Sequence, residues 1–129
     1  MPVRNLGSLK TAVDAASAAM APSWLWTWSG ACFGYRRGDS LFTYDGVESG
    51  RFYGAEIYGA DGQYLGELRS ASDGERLITN FYKKSRFMGG FSPTHHHSFS
   101  KPADRPEEQL YMGHEDFPTP KMKKKSAGR

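Results

Sequence analysis

The chain has 129 residues and a mass of 14.4 kDa, room for one domain. Hydrophobic residues at 38% and charged residues at 24% do not fit a disordered chain, no run of eighteen apolar residues offers a transmembrane helix, and the single cysteine, Cys32, excludes an internal disulfide framework and CxxC-type redox or metal sites. The net charge of +3 is uneven: the last nine residues carry Lys121, Lys123, Lys124, Lys125 and Arg129 with no acid, so the residues before them sum to −2.

Residues 1–22 differ from the rest. Leu6, Leu9, Val13, Ala16 and Met20 recur at steps of three and four, which predicts a short N-terminal helix that Pro22 stops. A secretory leader is the competing reading of the Ala-rich run, but Asp14 interrupts its apolar stretch. Trp24, Trp26 and Trp28 then alternate with Leu25 and Thr27, which predicts a strand with three indoles on one face. Such a face has to be buried, bound to a ligand or placed at a membrane interface.

From Gly30 to Asn80 strands and turns alternate. The predicted strands are Cys32–Arg36, Ser40–Tyr44, Val47–Tyr53, Glu56–Tyr58, Gln63–Leu68 and Glu75–Asn80, with a longer loop through Ser72-Asp73-Gly74 before the last. Connections this short allow only an antiparallel meander. Inside it Asp45-Gly46-Val47-Glu48-Ser49-Gly50-Arg51-Phe52 matches Asp61-Gly62-Gln63-Tyr64-Leu65-Gly66-Glu67-Leu68 at an offset of sixteen residues. The first glycine of the pattern suits the turn, and the second sits mid-strand where another group approaches closely. Hairpins repeated in this way cannot bury their apolar faces singly and close around a shared axis.

After Asn80 the pattern decays. Lys83, Lys84 and Arg86 form a basic knot, His95–His97 and Lys101–Pro106 read as loop, and Gln109–Met112 reads as a strand that returns to the sheet with Phe117 beyond it. The domain is therefore expected over residues 23–117, with a disordered basic tail over 118–129.

The residues Trp26-x-Trp28-x-Gly30, Phe33-Gly34-Tyr35, Leu41 to Asp45-Gly46 and Gly50, Glu56-Ile57-Tyr58, Gly62-x-Tyr64-Leu65-Gly66-Glu67 and Arg76-Leu77-Ile78 before Asn80 carry a resemblance. Together with Lys83-Lys84-Ser85-Arg86 and Gly113-His114-Glu115-Asp116, they make residues 24–117 similar to the four-fold beta-flower family, a group of small and mostly bacterial proteins. The resemblance implies a shallow, pseudo-symmetric all-β barrel of hairpin petals around an apolar centre. In shape such a barrel is distantly similar to tubby-like and scramblase-like domains, a weak guide to function.

Candidate chemistry is sparse. Adjacent His95, His96 and His97 rarely converge on one ion, so no designed metal site is expected. Ser92, Ser98 and Ser100 lie in no nucleophile motif, and Glu56 and Glu67 read as solvent-facing neighbours, so no enzyme and no cofactor are expected. Arg37-Gly38-Asp39 is accounted for by its turn. Fifteen of the eighteen aromatic residues lie between Trp24 and Phe91. The expected function is a binding module in which Trp24, Trp26, Trp28, Phe33, Phe42, Phe52 and Ile57 line an open apolar centre or rim for a lipid-like molecule or a membrane surface, with Lys83, Lys84 and Arg86 as a basic contact. The alternatives are a protein-interaction role without a small ligand, or weak nucleic-acid binding through residues 83–86 and the lysine tail. A cytoplasmic location with access to a membrane is expected, and the sheet's open edges favour a homo-oligomer.

Overall fold

A computed structural model describes residues 22–119, so the expected N-terminal helix and most of the tail lie outside the described residues. Eight strands follow one another: β1 Ser23–Trp26, β2 Cys32–Arg37, β3 Ser40–Thr43, β4 Glu48–Tyr53, β5 Glu56–Tyr58, β6 Tyr64–Ala71, β7 Gly74–Asn80 and β8 His114–Asp116. Every neighbour in the sheet is a neighbour in sequence, and every pair is antiparallel. The meander from β1 to β7 follows from the turn chemistry, because connections of two to five residues favour antiparallel neighbours, whereas β8 joins across the long segment 81–113. The expected long loop at Ser72 is instead a tight turn between the extended β6 and β7, whose pairing runs out to Ala71 and Gly74.

The sheet curls into a half-barrel whose flanks approach through a parallel bridge from Thr27 to Leu77. Curvature comes from bulges, and they recur every sixteen residues: between Leu25 and Trp26, Leu41 and Phe42, and Ile57 and Tyr58. Each bulge precedes one hairpin turn of the same build. The amides of Thr27, Thr43 and Gly59 donate to the carbonyls of Ala31, Val47 and Gln63, and those of Gly30, Gly46 and Gly62 donate back to residues 27, 43 and 59. The three glycines hold φ of +103°, +91° and +89°. The repeat visible in the sequence at Gly46 and Gly62 thus has a third copy at Gly30, where Ser29 stands in place of the aspartate.

A fourth unit is opened by an insertion. β7 pairs with β8 without a bulge, unlike the three repeated units, and Gly113, with φ +80°, directly precedes β8. Between Asn80 and Gly113 runs a long segment whose only regular element is a 3-10 turn, Phe81–Lys83. The expected strand over Gln109–Met112 does not form, since β8 begins at His114 and Leu110 and Met112 point to solvent. The chain does dock beyond it, as Phe117 is only 1% exposed.

The centre of the half-barrel is packed. Leu25, Phe33, Leu41, Phe52, Ile57, Leu77 and Phe117 form one buried cluster, with Leu65 and Leu68 against it. The mid-strand glycines work as their spacing predicts: a Cβ on Gly50 would stand 2.8 Å from the Ile57 side chain, and one on Gly66 would stand 2.5 Å from the Phe117 ring. Phe117 meets Phe33 edge-on at 5.3 Å and fills the axis.

Candidate interaction surface

The insertion is a strap. Running back along the molecule, residues 84–112 visit the three repeated turns in reverse order and bond each in the same way. The amides of Met88, His96 and Arg105 donate to the carbonyls of Gly62, Gly46 and Gly30. Three residues further on each time, Phe91, Phe99 and Glu108 donate to Ala60, Tyr44 and Trp28. The bulge leaves a strand amide without a ladder partner at Tyr64, Glu48 and Cys32, and the strap accepts from each through Arg86 O, Thr94 O and the Asp104 carboxylate. Three otherwise orphaned donors are thereby satisfied. The turn glycines matter here for space, because a side chain at Gly30, Gly46 or Gly62 would run into the strap carbonyls of Arg105, His96 and Met88.

This strap decides where the candidate ligand residues lie. Phe33, Phe52 and Ile57 belong to the packed centre, so no open centre is lined by them. The three tryptophans are not one continuous face: β1 ends at Trp26, the register shifts before it, and each indole meets a different part of the strap. Trp24 packs edge-on against Tyr35 and Phe99, each at 5.8 Å. The Trp26 indole N–H donates to Ala103 O at 2.9 Å, and the Arg105 guanidinium stacks 3.5 Å over its ring. The Trp28 indole donates to Gln109 O at 2.9 Å. Phe42 stacks on Tyr35 at 5.2 Å and meets His96 edge-on.

The basic knot is occupied. Lys83 bridges Glu56 and Glu67, both at 2.8 Å, Arg86 adds a second cation to Glu56, and Lys84 pairs with Glu115 at 2.7 Å. Glu56 and Glu67 are cross-strand partners, as neighbouring strands required. Glu67, expected at the solvent face, is 5% exposed. Burial pushes its carboxyl up, but hydrogen bonds from Lys83, Tyr64 and Arg69 outweigh that and hold it below the ordinary range. Glu48 is the strap's counterpart. Burial opposes its charge, yet donors from Arg51, Ser40 and both the amide and hydroxyl of Thr94 bring its pKa down to about 2.

Among the described residues no three His, Cys, Asp or Glu side chains gather as metal ligands, and the three adjacent histidines do not converge. No buried side-chain donor or acceptor among the described residues lacks a partner. No described helix is long and apolar enough to cross a membrane.

What sequence reasoning missed is an exposed apolar cluster where the strap leaves and rejoins the sheet. Phe81, Tyr82 and Met112 are 56%, 79% and 96% exposed, and Leu110 and Tyr111 are about half exposed. The two segments are tied together by the Phe81 amide bonded to Gly113 O, and the Tyr82 ring lies against Gly113. The available signal was the pairing of Phe81-Tyr82 with Leu110-Tyr111-Met112, large apolar residues at both ends of a polar segment. Compared with protein-family models, curated proteins and solved structures, the chain matches none.

Proposed function

We propose that this chain is a non-enzymatic interaction module that uses the cluster Phe81, Tyr82, Leu110, Tyr111 and Met112 to contact an anionic membrane surface. The observation that carries the reading is that Phe81, Tyr82 and Met112 are exposed together with the half-exposed Leu110 and Tyr111 where the strap leaves and rejoins the sheet, whereas the other exposed rings, Tyr53 and Phe87, stand apart from that junction. A filled centre favours a surface contact over an enclosed lipid-like ligand. The five cations of residues 121–129 supply the second signal that stable attachment to anionic lipid needs. The occupied cations at 83–86 argue against the nucleic-acid alternative, since phosphates would have to displace carboxylates already in contact. The resemblance to the four-fold beta-flower family belongs to the same proposal, supported by hairpins recurring every sixteen residues.

The test is sedimentation of the full chain with phosphatidylserine-containing vesicles and with phosphatidylcholine vesicles. Retention on the anionic vesicles alone, weakened by salt and lost in Phe81→Ser/Tyr82→Ser/Met112→Ser, is the expected result. These side chains are exposed, so the variant keeps its fold. No retention on anionic vesicles would overturn the membrane reading and leave a protein partner as the occupant. Retention that survives the triple variant but vanishes on removing residues 121–129 would assign binding to the tail and remove the cluster from it.

A further inference from the structure

Ten Lys and Arg side chains lie among the described residues, and nine of them meet a carboxylate within 4 Å. Arg37 is the exception. It stands at the end of β2, where a shallow recess is lined by Pro22, Tyr35, Arg36, Arg37, His96, His97 and Phe99. The strap brings the two histidines there: the His96 amide is fastened to Gly46 O, the Tyr35 hydroxyl donates to His97 O at 2.6 Å, and the imidazoles lie 4.9 Å apart. Four basic side chains thus line the recess, with no acid lining it among the described residues, and Arg36 is already turned to Asp39 and to the face of Phe52.

We propose that the recess beside Arg37 binds a small phosphate-type oxyanion, held by the Arg37 guanidinium and by His96 and His97. A guanidinium offers a planar fork that matches two phosphate oxygens, and the imidazoles add N–H donors, that of His96 from Nε2 because its Nδ1 accepts the His97 amide. Burial first, and the positive charges of Arg37 and His97 after it, push the His96 imidazole below its ordinary range. An anion reverses that sign. Binding therefore raises the His96 pKa and tightens as pH falls through the histidine range. The groups that bear on this titration are Arg37 and His97, and the His97 amide donates to His96 Nδ1 at 2.8 Å, a hydrogen bond that protonation of His96 has to break.

The experiment follows the His96 and His97 imidazole signals of the full chain by NMR. Inorganic phosphate is added at an ionic strength kept constant with chloride. A water-soluble, short-chain phosphatidic acid is added in a second arm, because the same oxyanion comes free or on a lipid headgroup. Saturable shifts at both histidines, with a raised His96 pKa and about tenfold weaker binding in Arg37→Gln, are expected. Saturation with inorganic phosphate identifies free phosphate as sufficient, and saturation with the lipid alone identifies the headgroup. Either sustains the site. Shifts that never saturate, or that are the same size in Arg37→Gln, would overturn it. Unchanged indole signals of Trp24 and Trp26 report that the variant keeps its fold. The result is independent of the vesicle experiment, since Phe81, Tyr82 and Met112 do not line the recess.

Discussion

Gly46 holds φ +91° in its turn, and a methyl group there would strike the backbone of His96. Gly54 also has a left-handed φ, +65°, but nothing lies within 4 Å of the added atom. Gly54→Ala is therefore expected to cost about 1 kcal/mol, the ordinary penalty of that conformation. Gly46→Ala bears the strain and a displaced strap, about 1–3 kcal/mol for the backbone alone. Urea denaturation of both variants measures the difference, and equal midpoints would contradict the close approach. Glu48 makes a second residue-scale prediction. Its folded pKa of about 2 lies below the ordinary 4.5, so its stabilisation is complete above pH 4.5 and decays as pH falls toward 2. With the side chain only 1% exposed, that amounts to about 3 kcal/mol. Glu48→Gln should lower stability at neutral pH and flatten this part of the acid limb. A limb of unchanged steepness would show that Glu48 is not its source.

At the scale of the element, the strap has almost no regular secondary structure, yet its backbone is bonded as regularly as a strand. Hydrogen exchange should find the amides of Met88, Phe91, His96, Phe99, Arg105 and Glu108 protected together, well above loop rates. Exchange of all six at the rate of an open loop would mean that the strap is not docked in solution. None of this was legible in the chain. Peptide groups are common to every residue, so a segment docked through N–H and C=O leaves little mark on side-chain pattern. The recurrence of Phe91 and Phe99 eight residues apart was the faint trace, and both rings do pack on the sheet, under Arg51 and against Trp24.

For the whole molecule, the bridge from Thr27 to Leu77 changes what the open edges imply. The second edge of β7 is shared between Thr27 and β8, and Ser29 donates to the Asp116 carboxylate across the same seam. The bridge covers only the Thr27 end of the β1 edge, and sedimentation is expected to give a monomer of 14.4 kDa. A concentration-dependent dimer would point to the exposed cluster around Tyr82 and Met112 as a self-contact. Phe117 closes the centre from the far end of the chain. Its replacement by Ala should cost about 3–5 kcal/mol, because the ring against Phe33 and Gly66 has no neighbour free to replace it. A loss under 1 kcal/mol would mean that the centre collapses around the gap.

The all-β class, the meander and the sixteen-residue repeat were determined by local chemistry, since Asp-Gly pairs and period-two strands act over a few residues. The first copy of the repeat escaped notice because Ser29-Gly30 makes the turn that Asp45-Gly46 makes, by hydrogen bonds that the sequence does not display. The aromatic content suggested an open apolar centre or rim, and did not tell which rings join the packed centre and which lie under the strap. That division depends on the bulges, which change the facing of the residues after Leu25, Leu41 and Ile57. Only the tertiary structure decided that Lys83, Lys84 and Arg86 are matched by acids from distant strands, and that Arg37 meets two histidines from the strap. Charge in a sequence is a sum, whereas pairing depends on which residues the returning chain brings within a few ångströms.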